Sequence, residues 1–116
     1  MDFSQAIQMH MAWVKNILVD IQSPAALNPE DIARDDLCEI GKWIYEIDAQ
    51  YHDLPEYRKL KDLHKELHQS TSDAVILAQA GKVEEAKEFL SVDGSIIDTS
   101  KHLLECCSKL LATMNP

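Results

Sequence analysis

The sequence predicts an all-α fold: an antiparallel four-helix bundle with a short extra helical segment in its first long loop. Three observations carry that expectation. Four runs repeat their apolar residues at helical period. The links between them are short and show no strand-like alternation. Three glycines and four prolines among 116 residues leave little room for the many turns of a β-rich fold. The length suits one domain, residues 1–116, with a single modest core.

The first helix is expected from about Ser4, read as its N-cap, to Ile21. Its stripe is Ala6/Ile7, His10, Trp13/Val14, Ile17 and Ile21. A histidine thus occupies a core-facing place, although a carbonyl partner at the bundle edge would account for it taken alone. Ser23-Pro24 ends the run, because a proline disfavours helix in the residue before it. The linker from Ala25 to Arg34 contains Asn28-Pro29-Glu30-Asp31, a short helical start with an Asn cap and Pro at the first position. It is expected to bridge the end of the bundle.

The second helix should run from Asp35 or Asp36 to Ile47, with acids in its first turn as the helix dipole prefers. Leu37, Ile40/Gly41, Ile44 and Ile47 form its expected buried side. Gly41 costs about 1 kcal/mol against alanine inside a helix, so close approach of another helix, or room for Trp43, is expected there. Cys38 in the first turn should have a lowered pKa, which suits a ligand. A small buried hydrophobe is its ordinary alternative. His52, in the loop from Asp48 to Leu54, reads as a surface residue.

Pro55 opens the third helix, which runs to about Ala80 and stops at Gly81. Its stripe is Tyr57, Leu60, His64, Leu67, Thr71, Ala74 and Ala78, with His68 beside it. Four residues apart on one helical face, His64 and His68 can close on one metal ion as neutral imidazoles. The fourth helix is expected from Lys82 to Thr113, nearly unbroken across a possible kink at Gly94. Its stripe is Val83, Ala86, Leu90, Asp93, Ile97, Ser100, Leu104, Cys107, Leu111 and Met114, with Phe89, Ile96, Leu103 and Leu110 alongside. His102 and Cys106 fall off that stripe, four apart on one face; they could form a second weak site, but a solvated polar face is the expectation.

The formal charge of −9 argues against nucleic acid as a partner and against anionic membrane surfaces. No basic leader or spanning apolar run is present, so a cytoplasmic location is expected. Three cysteines, two of them adjacent, do not resemble a disulfide framework.

His10, Cys38, His64 and His68 then fall on three helices of one bundle, which is how such folds build metal sites. Three imidazoles and a thiolate suit tetrahedral Zn2+. A carboxylate di-iron site would need inward acids, and only Asp93 qualifies. An HExxH motif is absent because Lys65 follows His64, and Glu66 would face solvent at this spacing, so an enzyme ranks last. A metal-free helical interaction module explains the composition equally well, but not these four residues.

His10-x-x-Trp13-x-Lys15, Cys38-Glu39-Ile40-Gly41-Lys42-Trp43 and Leu63-His64-Lys65-Glu66-Leu67-His68, with the lead-in Leu54-Pro55-Glu56-Tyr57, occur in that order. In these motifs the chain resembles the chemoreceptor zinc-binding domains of bacteria, from about Ala6 to Leu111. The resemblance implies a cytosolic four-helix zinc sensor with His10, Cys38, His64 and His68 as ligands. Such domains are usually fused to a chemoreceptor or a diguanylate cyclase, and report zinc, or in some members oxidation by hypochlorous acid, to chemotaxis or cyclic-di-GMP output. It also implies an acid shortly before the cysteine, for which Asp35 and Asp36 are the candidates. The sequence carries no signalling domain, so it is read either as a free-standing member acting through a partner or a homodimer or as one domain excised from a longer protein, with Met1 and the polar ending Met114-Asn115-Pro116 favouring the first. The Trp13 and Trp43 faces are candidates for pairing two copies.

Overall fold

A computed structural model describes residues 1–91 and 94–114, and it is all-helical: among the described residues there is no strand. Helix α1 spans Phe3–Asp20. Its N-cap is Asp2 rather than Ser4: the Asp2 carboxylate accepts from the Gln5 amide at 2.8 Å, and the Gln5 side chain accepts from the Asp2 amide at 3.0 Å. That reciprocal box satisfies two orphan donors where a serine satisfies one. The expected stripe is buried at Ala6, His10, Ile17 and Ile21, and Phe3 joins it.

A 3₁₀ turn at Pro24–Ala26 leads to α2, Pro29–Ala33, with the Asn28 side chain accepting from the amides of Glu30 and Asp31. This segment does not bridge the bundle end. It lies along the flank of α5, Pro55–Gln79, whose side chains hold its carbonyls in succession. Gln79 donates to Leu27 at 2.7 Å and to Pro24 at 2.9 Å, and Ser72 donates to Pro29 at 2.7 Å.

Helix α3 spans Glu39–Glu46 and begins later than expected. Asp35, Asp36 and Leu37 form a turn, Leu37 is exposed, and Cys38 is the N-cap, its sulfur accepting from the Gly41 amide at 3.2 Å. Gly41 explains the shape of that turn. A Cβ there would lie 1.7 Å from the Asp35 carbonyl oxygen and 3.1 Å from His64 Cε1, so the chain folds back into space only glycine leaves. Gly41→Ala should therefore lower stability by about 3 kcal/mol, at the upper end of overpacking costs, and an unchanged melting temperature would contradict this.

A further short helix, α4 at Asp48–Tyr51, occupies the expected loop. His52 is exposed beside Asp53, as expected. Gly81 stops α5 at φ +81°, where a side chain would be strained. The core gathers on α5: Tyr57, Leu60, Leu67, Ala74 and Val75 are buried, and the Tyr57 hydroxyl donates to the Ile44 carbonyl of α3.

The fourth run is two helices, α6 at Val83–Leu90 and α7 at Ser95–Met114, rather than one kinked helix. Ser91 is extended, and a Cβ on Gly94 would lie 2.3 Å from the Glu88 carbonyl oxygen, so the chain turns hard against the last turn of α6. The break resets the helical phase. On α7 the buried residues are Ile96, Thr99, Ser100, Leu103, Cys106, Cys107 and Leu110. Most sit one residue before the continued stripe, a rotation of about 100°. Cys106 is consequently buried, against expectation, while His102 is exposed; Val83, the first residue of α6 and ahead of the break, is exposed where burial was expected. Asp93, the expected inward acid, lies outside the described residues, as does the side chain of Met114.

Candidate metal centre

Three short stretches of chain converge on one cavity of about 130 Å³, bounded by Met9, His10 and Trp13 of α1, Cys38, Glu39 and Ile40 at the start of α3, and His64, Leu67 and His68 of α5. Cys38 Sγ stands 3.3 Å from His64 Nε2 and 3.5 Å from His68 Nε2. The ligand atoms of these three residues all lie within 4.8 Å of one another. Those separations have a chemical meaning. Zn–N bonds of about 2.0–2.1 Å and a Zn–S bond of about 2.3 Å, opened at tetrahedral angles, place nitrogen and sulfur about 3.5 Å apart. The protein holds them at that spacing already.

The two histidines have the form a ligand needs. The His68 Nδ1 lies 2.8 Å from the Ile32 carbonyl oxygen. A carbonyl only accepts, so Nδ1 carries the hydrogen and the Nε2 lone pair points into the cluster. The ring is further held by the Trp13 indole, with centroids 4.9 Å apart. Burial pulls the His64 pKa down to about 4, helped by the neighbouring His68 and opposed by Asp35. His68 is lowered by burial as well, against the Ile32 hydrogen bond and Asp35. Both imidazoles are therefore neutral at pH 7, the form that ligates.

Cys38 departs from the sequence expectation. Burial pushes its thiol up, outweighing the Gly41 hydrogen bond that pulls it down. The helix N-terminus alone does not make a thiolate here; a bound dication would, by displacing the thiol proton.

His10 is not among the three clustered residues, but it lines the same cavity and is 2% exposed. Its Nε2 is buried with no hydrogen-bond partner among the described residues. Burial brings its pKa down to about 4, and the nearby His68 adds to the effect. A neutral imidazole with an unanswered nitrogen beside a thiol and two further imidazoles fits a fourth donor to one ion.

Of the two acids before the cysteine, Asp35 stands at the site. Its carboxylate accepts from the Tyr45 hydroxyl at 2.6 Å and acts electrostatically on His64 and His68. Asp36 instead pairs with exposed Arg34, at 3.0 Å. Trp43 packs edge-on against Phe3, centroids 4.9 Å apart, so both tryptophans make contacts within the chain. Cys106 and Cys107 belong to the core, and His102 turns back to the Asp98 carbonyl at 2.9 Å, so among the described residues they make no second cluster.

Sequence reasoning missed the backbone participants: the Ile32 carbonyl, the Gly41 amide and the linker carbonyls held by α5. Carbonyls and amides carry no residue-type signal. The glycine three residues after Cys38 was the one visible trace of them.

A family model described as the chemoreceptor zinc-binding domain matches residues 10–75, more than half of the chain, from His10 through His68 and beyond. No curated protein and no solved structure gives a match. No helix among the described residues is long and apolar enough to cross a membrane.

Proposed function

The chain belongs to the chemoreceptor zinc-binding domain family, and on that premise we propose that it is a cytoplasmic zinc-binding sensory domain with His10, Cys38, His64 and His68 as ligands. The observation that carries this reading is the placement of Cys38 Sγ at 3.3 and 3.5 Å from two imidazole nitrogens. The orphaned His10 Nε2 supports the fourth place. The arrangement we infer is an antiparallel four-helix bundle over residues 1–116, with the α6–α7 pair as its last member.

Bound zinc would supply a cross-link between α1, the α3 cap and α5, and a positive charge that holds Cys38 as thiolate. The residues do the rest. His64 and His68 on rigid α5 form the fixed side of the site. Cys38 is the movable side, because it caps a helix of 8 residues at the end of a turn. With hypochlorous acid, the thiolate sulfur takes the oxygen to give a sulfenic acid and chloride leaves. A sulfenic acid is a poorer donor, and its release frees the α3 N-terminus to shift. A partner reads that change, either a second copy or a signalling protein such as a chemoreceptor or diguanylate cyclase, with chemotaxis or cyclic-di-GMP as output.

Four protein ligands leave no open coordination position for hydrolysis. Glu66, between the two histidines, is exposed rather than aimed at the cluster. We therefore read the domain as non-catalytic. A metal-free interaction module would not call for buried, neutral imidazoles around a thiol.

The test is zinc release. One equivalent of hypochlorous acid added to zinc-loaded protein should deliver about one zinc per chain to a chromogenic chelator, with sulfenic acid trapped at Cys38. Oxidised Cys38 with zinc still bound would contradict the proposed role of Cys38 as the releasing arm.

A further inference from the structure

None of the four proposed ligands comes from α7, yet α7 packs against α1 beside the metal centre. His10 borders two spaces at once: the metal cavity, and a shallow groove between α1 and α7 whose walls include Val14, Leu18, Ser100 and Leu104. On the α7 side of that groove the Ser100 hydroxyl is buried and, among the described residues, has no hydrogen-bond partner. A serine or threonine inside a helix ordinarily returns its hydroxyl to the carbonyl four residues back. Thr71 and Thr113 do so here, at 2.8 and 2.9 Å. Ser100 does not. His10 of α1 and Ser100 of α7 therefore border one groove from facing helices, and the Ser100 hydroxyl there has no partner among the described residues.

A metal-ligating imidazole nearly always donates its second ring N–H to an acceptor, which fixes its tautomer and orientation. His68 has such an acceptor in the Ile32 carbonyl. His10 has none among the described residues. We propose that Ser100 is the outer-sphere partner of His10: when one ring nitrogen takes the metal ion, the other carries the hydrogen and donates it to Ser100 Oγ, directly or through one water. The pairing brings α7 into the site, so that metal occupancy also fixes how α7 sits on α1. It rests on the metal-centre reading of the preceding section and adds a positioning residue to it.

The experiment is zinc affinity by chelator competition on the full chain, for Ser100→Ala, Ser100→Thr, His10→Ala and the Ser100→Ala/His10→Ala pair. Ser100→Ala should weaken zinc about 10–100-fold, the usual cost of losing an outer-sphere partner, and Ser100→Thr should retain affinity. In the His10→Ala background the serine change should cost nothing more. Zinc-free Ser100→Ala should melt no lower than zinc-free wild type, because it removes a buried hydroxyl that has no partner. A defect of packing alone would lower that melting point. In the zinc form, an exchange-protected imidazole N–H of His10 should be visible by NMR and disappear in Ser100→Ala. Wild-type affinity in Ser100→Ala alongside weakened His10→Ala would overturn the proposal while leaving the metal centre intact. An unchanged His10→Ala would remove His10 from the ligand set and the proposal with it, and a wild-type chain that takes up no zinc would overturn the metal reading itself.

Discussion

Stripping zinc from the protein should lower its melting temperature by roughly 15 °C. The direction follows from linkage: an ion that binds the folded chain and not the unfolded one stabilises by about 4 kcal/mol when free ion exceeds its dissociation constant 1,000-fold. For a domain of this size about 4 kcal/mol corresponds to a shift of that order. The structure says why the zinc-free state is the weaker one. His10, His64 and His68 are buried, their pKa values lowered by burial, and the His10 Nε2 has no hydrogen-bond partner among the described residues. A buried polar group in that condition costs about 1–3 kcal/mol. Most of the shift should come from the segment before α3, since that turn is short, ends on Cys38 and leans on few buried side chains. Scanning calorimetry with and without a strong chelator reads the effect. Identical melting curves in both would mean that no metal cross-links the folded chain.

Cys38→Ser should weaken zinc binding by at least about 100-fold, equivalent to about 2.7 kcal/mol, while leaving the helices in place. Serine is among the best N-cap residues. It can accept the Gly41 amide as the cysteine sulfur now does at 3.2 Å, so the cap survives the change. Its hydroxyl cannot ionise near pH 7 and is a poor zinc donor. The substitution thus separates the cap that Cys38 provides to α3 from the ligation proposed for it. Removing an outer-sphere group costs 10–100-fold, and a direct ligand should cost more. Circular dichroism should match wild type at the same time. Equal zinc affinity in the serine variant would remove Cys38 from the site.

The side chains of the candidate site were legible from the sequence because they break a pattern. His10 and His64 occupy places in apolar stripes, and the helical repeat puts His68 on the face of His64. Cys38 was legible as a donor but its setting was not. A helix beginning at Asp35 or Asp36 would bury Leu37 and put Cys38 inside the first turn, whereas the chain needs a tight turn there to bring the Asp35 carbonyl over Gly41. That turn is specified by a contact between backbone and glycine, and periodicity does not register it. The same limit applies at Gly94. The apolar repeat continues across it in sequence, but the helix that follows is out of phase with the one before, so Cys106 is core. The course of the linker along α5 was hidden for another reason: Gln79, Ser72 and His68 hold carbonyls that any residue could present.

The central claim is a metal centre built from His10, Cys38, His64 and His68. Elemental analysis of protein purified without added metal tests it most directly, with Cys38→Ala and His64→Ala measured alongside. The account predicts about one zinc per chain in the wild type, and loss or loosening of that zinc in both variants. A fully folded wild-type protein that carries no metal and takes up none on titration would contradict it.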